Sequence, residues 1–410
     1  MRTPSKKLGA LVLAGALIAS LAGCAGAKSS DNAITIWYRP GSLPTASIDG
    51  VKAAFPKAKI TLLKTPDVDT KLASALRSNS GIPDIAVATT ATFSGAQDKF
   101  VNVDDYGFKK ISNEYLSWKV KAGQTKDGKQ IAIPIDIGPE GFFYRADVFK
   151  AAGLPTDPAA VGKLISTWDG YRSVAEKIKT ESSGFVCDAA DASVYTPSIF
   201  QKGYFYYTNA GKFEPESSVN KEAFLRAASF GQDGLCLNAE PYSQDWSAGI
   251  AQNKLVGWVG PAYESVLMTT SGGTSAGKWK VTTAPGGASS QIGSNLSVFK
   301  ASANPKLATQ IAEWLTNPSN MAKGYAKDTL FPSTPSSYTM TEMTQPDSFF
   351  GGQVTSTVLA GVAKEAPTVY VGSNSNVAQS DFNAALTNIV KTKASPDAAY
   401  AAAAKQAANQ

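Results

Sequence analysis

The spacing of apolar positions changes repeatedly along this chain, and each change predicts an element. Ile34-Thr35-Ile36-Trp37-Tyr38 is a short apolar-rich run broken by Arg39-Pro40-Gly41, which predicts a buried strand. Ile48 to Phe55 predicts a helix stopped by Pro56. Lys59-Ile60-Thr61-Leu62-Leu63 predicts a second strand. From Asp67 to Ser78, Val68, Leu72, Ala75 and Leu76 fall on one helical face, and Ser80-Gly81 ends the helix. Asp84-Ile85-Ala86-Val87-Ala88 predicts a third strand after Pro83. Strands alternating with helices imply parallel pairing with right-handed crossovers, an α/β fold whose ligands sit beyond the carboxyl ends of the strands. Those ends carry Trp37, Tyr38, Arg39, Thr89 and Thr90.

Farther on, Ile131 to Ile137 and Gly141 to Arg145 are extended around Gly138-Pro139, followed by a helical stretch from Ala146 to Ala152. Thr167 caps a helix with Trp168, Tyr171, Val174, Ala175 and Ile178 on one face. Phe185 to Lys280 mixes strands and helices, and Thr269 to Gly277 reads as a mobile Gly/Ser loop. Ile292 to Phe299 is extended. Asn304 starts a helix with Leu307, Ile311 and Leu315 inward, and the C-terminal third is mostly helical, ending in the Ala-rich Pro396 to Asn409.

The amino terminus reads as an address. Arg2, Lys6 and Lys7 precede the uncharged, mostly apolar Leu8 to Ala22, which is shorter than the ~20 residues a membrane span takes and fits a signal-peptide core. Leu21-Ala22-Gly23-Cys24 resembles a bacterial lipobox, implying cleavage before Cys24 and its lipidation, with residues 1–23 as leader and 24–32 as a small, polar tether. The bland alternative is a soluble secreted protein cut at an Ala-rich site. Because one acyl chain holds a protein only marginally, a diacyl anchor at Cys24 would fix the chain on the outer face of the cell membrane, most usefully in a bacterium with a single membrane.

Composition narrows the chemistry. With 410 residues, 43% hydrophobic and 18% charged, the chain has apolar content for a large core in two or three domains. Loss of Arg2, Lys6 and Lys7 with the leader lowers the net charge from +6 to +3, too mild to suggest nucleic acid. Histidine is absent, which excludes Ser–His–Asp and Cys–His machinery and His-ligated metal within this chain; no cofactor is expected. Beyond Cys24, only Cys187 and Cys236 remain, a disulfide if exported to an oxidising side, or else two buried thiols.

Several motif matches dissolve on inspection. Gly273-Thr274-Ser275-Ala276-Gly277 fits a nucleophile-elbow pattern, but it lies in a Gly/Ser stretch and has no histidine to serve it. Gly272 to Lys278 nearly fits a phosphate loop, yet Trp279 stands where Ser or Thr is needed. Ser297-Val298-Phe299-Lys300 lacks the later segment a penicillin-binding reading requires, and Asp67 with Asp69 is too little for a calcium loop.

Six ordered pieces carry a family resemblance. They are Ser80-Gly81-Ile82-Pro83-Asp84-Ile85; Gly128 to Pro134 with Phe143-Tyr144-Arg145-Ala146-Asp147-Val148-Phe149; Ala152-Gly153-Leu154-Pro155; Thr167-Trp168-Asp169; Ile292-Gly293-Ser294-Asn295-Leu296; and Asn304-Pro305 through Trp314-Leu315-Thr316. Together these are similar to bacterial extracellular solute-binding proteins of the sugar type, partners of ABC importers, over nearly all of the mature chain. The proline usual just before the Thr-Trp pair is missing. The resemblance implies a two-lobed, periplasmic-binding-protein-like fold: lobe 1 at 33–138 and 298–337, lobe 2 at 139–297 and 338–410, crossing hinge segments, and a ligand cleft that shuts by hinge motion. It also implies a monomer that performs no catalysis and hands its ligand to a permease.

An aromatic ring can cover the apolar face of a pyranose while Asp, Asn, Arg and backbone groups pair its hydroxyls. Trp37 and Tyr38 end the first strand. Trp258-Val259-Gly260-Pro261-Ala262-Tyr263 is similar to a family segment that often stacks on sugar, with Tyr263 at or beside the usual tryptophan and Trp258 as the substitute. Asp136 and Glu140 flank the first hinge, Ser294 and Asn295 sit in the second, and Tyr204 or Tyr207 from the dense run Tyr204-Phe205-Tyr206-Tyr207 is expected to line the cleft. Arg39 either meets ligand or joins an inter-lobe pair. Competing readings are an exported glycan hydrolase using two carboxylates, or the same fold holding an organic acid or a polyamine. A polyamine would need clustered carboxylates, which the linear sequence does not display.

Overall fold

A computed structural model describes residues 32–89, 96–208 and 210–409. The leader, Cys24, all of the tether but Asn32, and Thr90 lie outside them. Ten strands are described: β1 (Ala33–Tyr38), β2 (Lys59–Lys64), β3 (Ile85–Ala88), β4 (Ile133–Pro134), β5 (Asp136–Arg145), β6 (Gly257–Pro261), β7 (Trp279–Thr283), β8 (Ser290–Gln291), β9 (Asn295–Val298) and β10 (Phe331–Pro332).

The first sheet runs β2-β1-β3-β9-β4. β1 pairs in parallel with β2 and β3 through the helices Thr45–Ala54 and Val68–Ser78, as the alternating pattern predicts. Asp84, just before β3, accepts from the Thr35 N–H at 2.8 Å and locks the start of β3 to β1. The sheet is not wholly parallel. β9 returns from far along the chain and lies antiparallel between β3 and β4. A local pattern cannot reveal such a long-range insertion.

The second sheet is organised by β5, all ten residues of which are buried. The sequence predicts two extended pieces here; the structure joins the end of the first to the second in one strand through Gly138-Pro139. The strand is served by different neighbours along its length. Asp136 and Ile137 pair with β10, Gly138 and Pro139 with β8, and the rest with β6 and β7. Pro139 lacks an N–H, but its carbonyl accepts from the Ala262 N–H, so the strand passes without a wasted donor.

Three segments cross between the sheets, and they are stitched together. Only Ile135 separates β4 from β5. Its N–H donates to the Ser294 carbonyl at 3.1 Å, and the Ser294 N–H donates to Asp136 Oδ1 at 2.8 Å. The Ser333 hydroxyl donates to the Ile135 carbonyl at 2.8 Å. Gly293 is obligatory here: its φ is +69°, and a Cβ would lie 2.1 Å from the Asp136 carbonyl oxygen.

C-terminal helices complete the core around the second sheet. Phe382 on Ser375–Thr392 packs among Tyr195, Tyr206, Phe224 and Tyr400. The predicted loop, Thr269 to Gly277, is partly helical and mostly exposed. The helix Glu264–Ser271 runs into it, and buried Ser275 receives a hydrogen bond from the Trp279 indole, because that ring needs a partner once enclosed. Cys187 and Cys236 form a disulfide, both buried. The bridge closes a loop with a sequence separation of 49. Replacing both cysteines by serine is expected to cost roughly 2–4 kcal/mol, read as a lower denaturant midpoint; an unchanged midpoint would contradict the assignment.

Candidate functional site

A cavity of about 300 Å³ opens beside β5 and β6, lined among others by Glu140, Asp191, Glu240, Tyr242, Tyr263, Glu264 and Gln291. Each wall residue is placed by a local cause. Tyr263 follows β6, and its ring lies against Gly138 of β5, where any Cβ would meet Tyr263 Cε1 at 2.8 Å. Glu140 sits on β5 itself, and Gln291 on β8 donates to its Oε1 at 2.9 Å. Asp191 opens a π-helical turn, Asp191–Tyr195, a distortion often found at functional sites. Glu264 is held by two donors, the Trp258 indole at 2.6 Å and the Tyr242 hydroxyl at 3.0 Å. Gly260 leaves the room for that clasp, since a Cβ there would fall 2.1 Å from Glu264 Oε2.

Burial sets the electrostatics. The Glu140 carboxyl is pushed up to about 7 by desolvation, with the nearby Ser289 and Gln291 pulling the other way. Asp191 also rises to about 7, through burial and then repulsion from Glu240. Glu264 is raised by burial, and by repulsion from Asp188, which lies behind the cavity wall and is itself raised by burial. Lys119, fully buried, is pushed down to about 7 by desolvation, opposed by Asp136.

The residues singled out by sequence are distributed unevenly. Glu140 and Tyr263 come together in the cavity. Asp136, Ser294 and Arg39 form a second cluster on the crossing segments. Arg39 donates to Ser294 Oγ at 3.0 Å and pairs with Asp69 at 2.8 Å. Asn295 is fully buried between β3 and β4, and neither of its amide atoms has a hydrogen-bond partner. Thr89 is half-buried just past β3. Trp37 is half-buried with the Lys71 ammonium 6.0 Å from its ring centroid. Tyr38 is buried in the first sheet's core.

Two expectations need correction. Trp258 has no open face for stacking: it is 0% exposed, enclosed by Phe143, Trp246 and Trp279. Tyr204 does not line this cavity. It is buried in the core of the second sheet, its hydroxyl donating to the Glu214 carbonyl at 2.6 Å. Sequence reasoning passed over Asp191, Glu240, Tyr242 and Gln291. The available signal was Asp188 and Asp191 inside the otherwise small and apolar run Val186 to Tyr195.

Comparison with known proteins gives a consistent picture. The family model described as bacterial extracellular solute-binding protein matches residues 48–351. A crystal structure described as an extracellular solute-binding protein of family 1 is 28% identical, with a TM-score of 0.85, covering 92% of this chain and 99% of that one. The ABC-transporter-associated binding protein of B. animalis subsp. lactis Bl-04, solved with β-1,6-galactobiose, is 23% identical with a TM-score of 0.69, over 92% and 96%. The galacto-N-biose/lacto-N-biose I-binding protein of Bifidobacterium longum, solved with lacto-N-biose, is 19% identical with a TM-score of 0.76, over 92% and 96%. The last two likenesses speak to fold. No curated protein matches.

Two predictions follow from the wall. Truncating Trp258 to alanine is expected to destabilise the fold by roughly 3–5 kcal/mol, measured by denaturant unfolding. In the ligand-free protein, Glu140 and Asp191 hold protons that the unfolded chain has already released. Stability therefore falls as pH climbs from about 5 to 7 and stops falling on their account above 7, where Lys119 begins to act in the opposite sense. Thermal midpoints at pH 5, 6 and 7 check this; a midpoint that rose, or a slope unaltered in Glu140→Gln and Asp191→Asn, would contradict it.

Proposed function

The chain belongs to the bacterial extracellular solute-binding proteins, and within that family we propose that it captures a carbohydrate by closing two lobes over it. The lobes are 33–138 with 298–337, and 139–297 with 338–410. The ring of Tyr263, pinned against β5 and ringed by Glu140, Asp191 and Gln291, is the observation that carries this reading. A pyranose face rests on that ring, and its hydroxyls pair with the polar groups around it. A carboxyl that holds its proton until pH about 7 can donate to one hydroxyl and accept from another.

From the first sheet and the crossing segments, Arg39, Thr89, Asp136, Ser294 and Asn295 face the ligand on closure, and Trp37 and Tyr38 end the strand that leads to Arg39. The unpartnered amide of Asn295 supports this, since a buried orphan amide is costly until something pairs with it. The protein acts without catalysis, as a monomer tethered to the outer face of the membrane through lipid on Cys24, and delivers its cargo to an ABC permease. Solved proteins of the same fold that carry disaccharides support the ligand class.

Calorimetry against mono- and oligosaccharides tests the reading. One saccharide is expected to bind with a stoichiometry near one and remain unaltered. Tyr263→Ala should weaken it roughly tenfold, the scale of one lost aromatic contact, while the thermal midpoint moves little. If no saccharide binds, or if Tyr263→Ala binds as tightly as the parent, this cavity is not the sugar site.

A further inference from the structure

We propose that the captured saccharide carries a protonated amine, received in this cavity by the carboxyl groups of Glu140, Asp191 and Glu240. The proposal rests on the carbohydrate reading and names the class of sugar. The first ground is charge. Four carboxyl side chains line the cavity, Glu140, Asp191, Glu240 and Glu264, with Asp188 behind, and no lysine or arginine stands among the described lining residues. The two cations at the crossing segments are spoken for: Lys119 donates to the Ile292 carbonyl at 2.5 Å beside Asp136, and Arg39 is paired with Asp69 and Ser294. The carboxylate cluster a cation needs is thus assembled by the fold from residues far apart in sequence.

The second ground is independent of the count. Glu140 is 1% exposed, lines the cavity, and its Oε2 makes no hydrogen bond in the structure, the Ser289 hydroxyl near the carboxyl being unpartnered as well. Such an atom is expensive in an empty protein and is satisfied by a donor arriving with the ligand. Glu264 is different, because Trp258 and Tyr242 already occupy its two oxygens. That division leaves Glu140 and Asp191 in the wall and Glu240, exposed at the rim, for the ligand.

The third ground is Tyr242. This bulky residue holds φ at +70°, a conformation rare outside glycine, and presents a 55% exposed ring to the cavity. An aromatic ring beside carboxylates is a favourable setting for an ammonium group. Neutral hydroxyls pair with carboxyls but leave the mutual repulsion of Asp188, Asp191 and Glu240 in place. A cation removes it. Binding then draws Glu140 and Asp191 into their charged forms and releases protons, so affinity for the amine rises with pH until the amine itself is neutralised.

The experiment compares matched sugars on the mature chain by calorimetry at pH 5.5 and 7.5. Glucosamine and its β-1,4-linked oligomers are set against the N-acetylated counterparts, and galactosamine against galactose. The amine forms are expected to bind roughly tenfold tighter at pH 7.5, the scale of one partly solvated charge contact. That advantage should shrink at pH 5.5, and shrink in Glu240→Gln at a retained thermal midpoint and in Asp191→Asn. Equal binding of amine and neutral forms overturns the proposal and leaves the carbohydrate reading intact. Loss of amine and neutral binding alike in Glu240→Gln also overturns it. Binding of spermidine with no saccharide bound at all sinks the carbohydrate reading, and this proposal with it.

Discussion

The molecule depends on the stitch at Ile135-Asp136. Two sheets of different make-up are joined by three strands of chain, and without cross-linking those strands the sheets would be free to slide as well as turn. The Ile135 peptide is bonded from both sides, by the Ser294 carbonyl and the Ser333 hydroxyl, and the Asp136 carboxylate takes the Ser294 N–H. Shear is thereby costly, whereas rotation about the bundle of crossings requires small dihedral changes in a few residues. Gly293 permits the tight approach that makes the stitch.

The same constraint explains where the cavity sits. β5 leaves the stitch and within four residues delivers Glu140 to the cavity wall, while β8 brings Gln291 to it just ahead of the stitch at Ser294. Wall and hinge are therefore one continuous piece of backbone. Glu140 and the crossing at Asp136 lie on a single strand, with no loop between them. Arg39 occupies the corresponding position on the first sheet, reaching from the end of β1 to Ser294 in the hinge.

Local structure was readable from sequence where one physical cause dominated. The strands β1, β2 and β3 and their helices follow from hydrophobic period, and the Thr167 and Asn304 caps from side-chain oxygens that accept N–H groups at helix starts. Tyr263 was singled out through the resemblance of its segment and Glu140 through its place beside the first crossing, and both line the cavity. What escaped was non-local. The antiparallel entry of β9, the enclosure of Trp258 by three other aromatic rings, and the meeting of Asp191 with Glu240 each join residues far apart in sequence. Trp258 shows the ambiguity most clearly: a tryptophan on a buried strand and one stacked on a sugar look alike in sequence, and only the position of Phe143, Trp246 and Trp279 decides between them.

A binding protein that opens and shuts must not shut too well when empty. Lobe closure buries apolar surface whether or not a ligand is present, and a ligand shifts the balance only by the contacts it makes better in the closed form. A wall of partly protonated carboxyls meets that requirement on its own. On the proposed reading, closing over an empty cavity would desolvate the exposed Glu240 and sharpen its repulsion with Asp191, which disfavours the unliganded closed form. Closing over a donor-rich guest turns the same groups into paired acceptors. If these acids receive the guest as proposed, the cost that burial imposes on them in the free protein is what separates an empty cleft from a filled one.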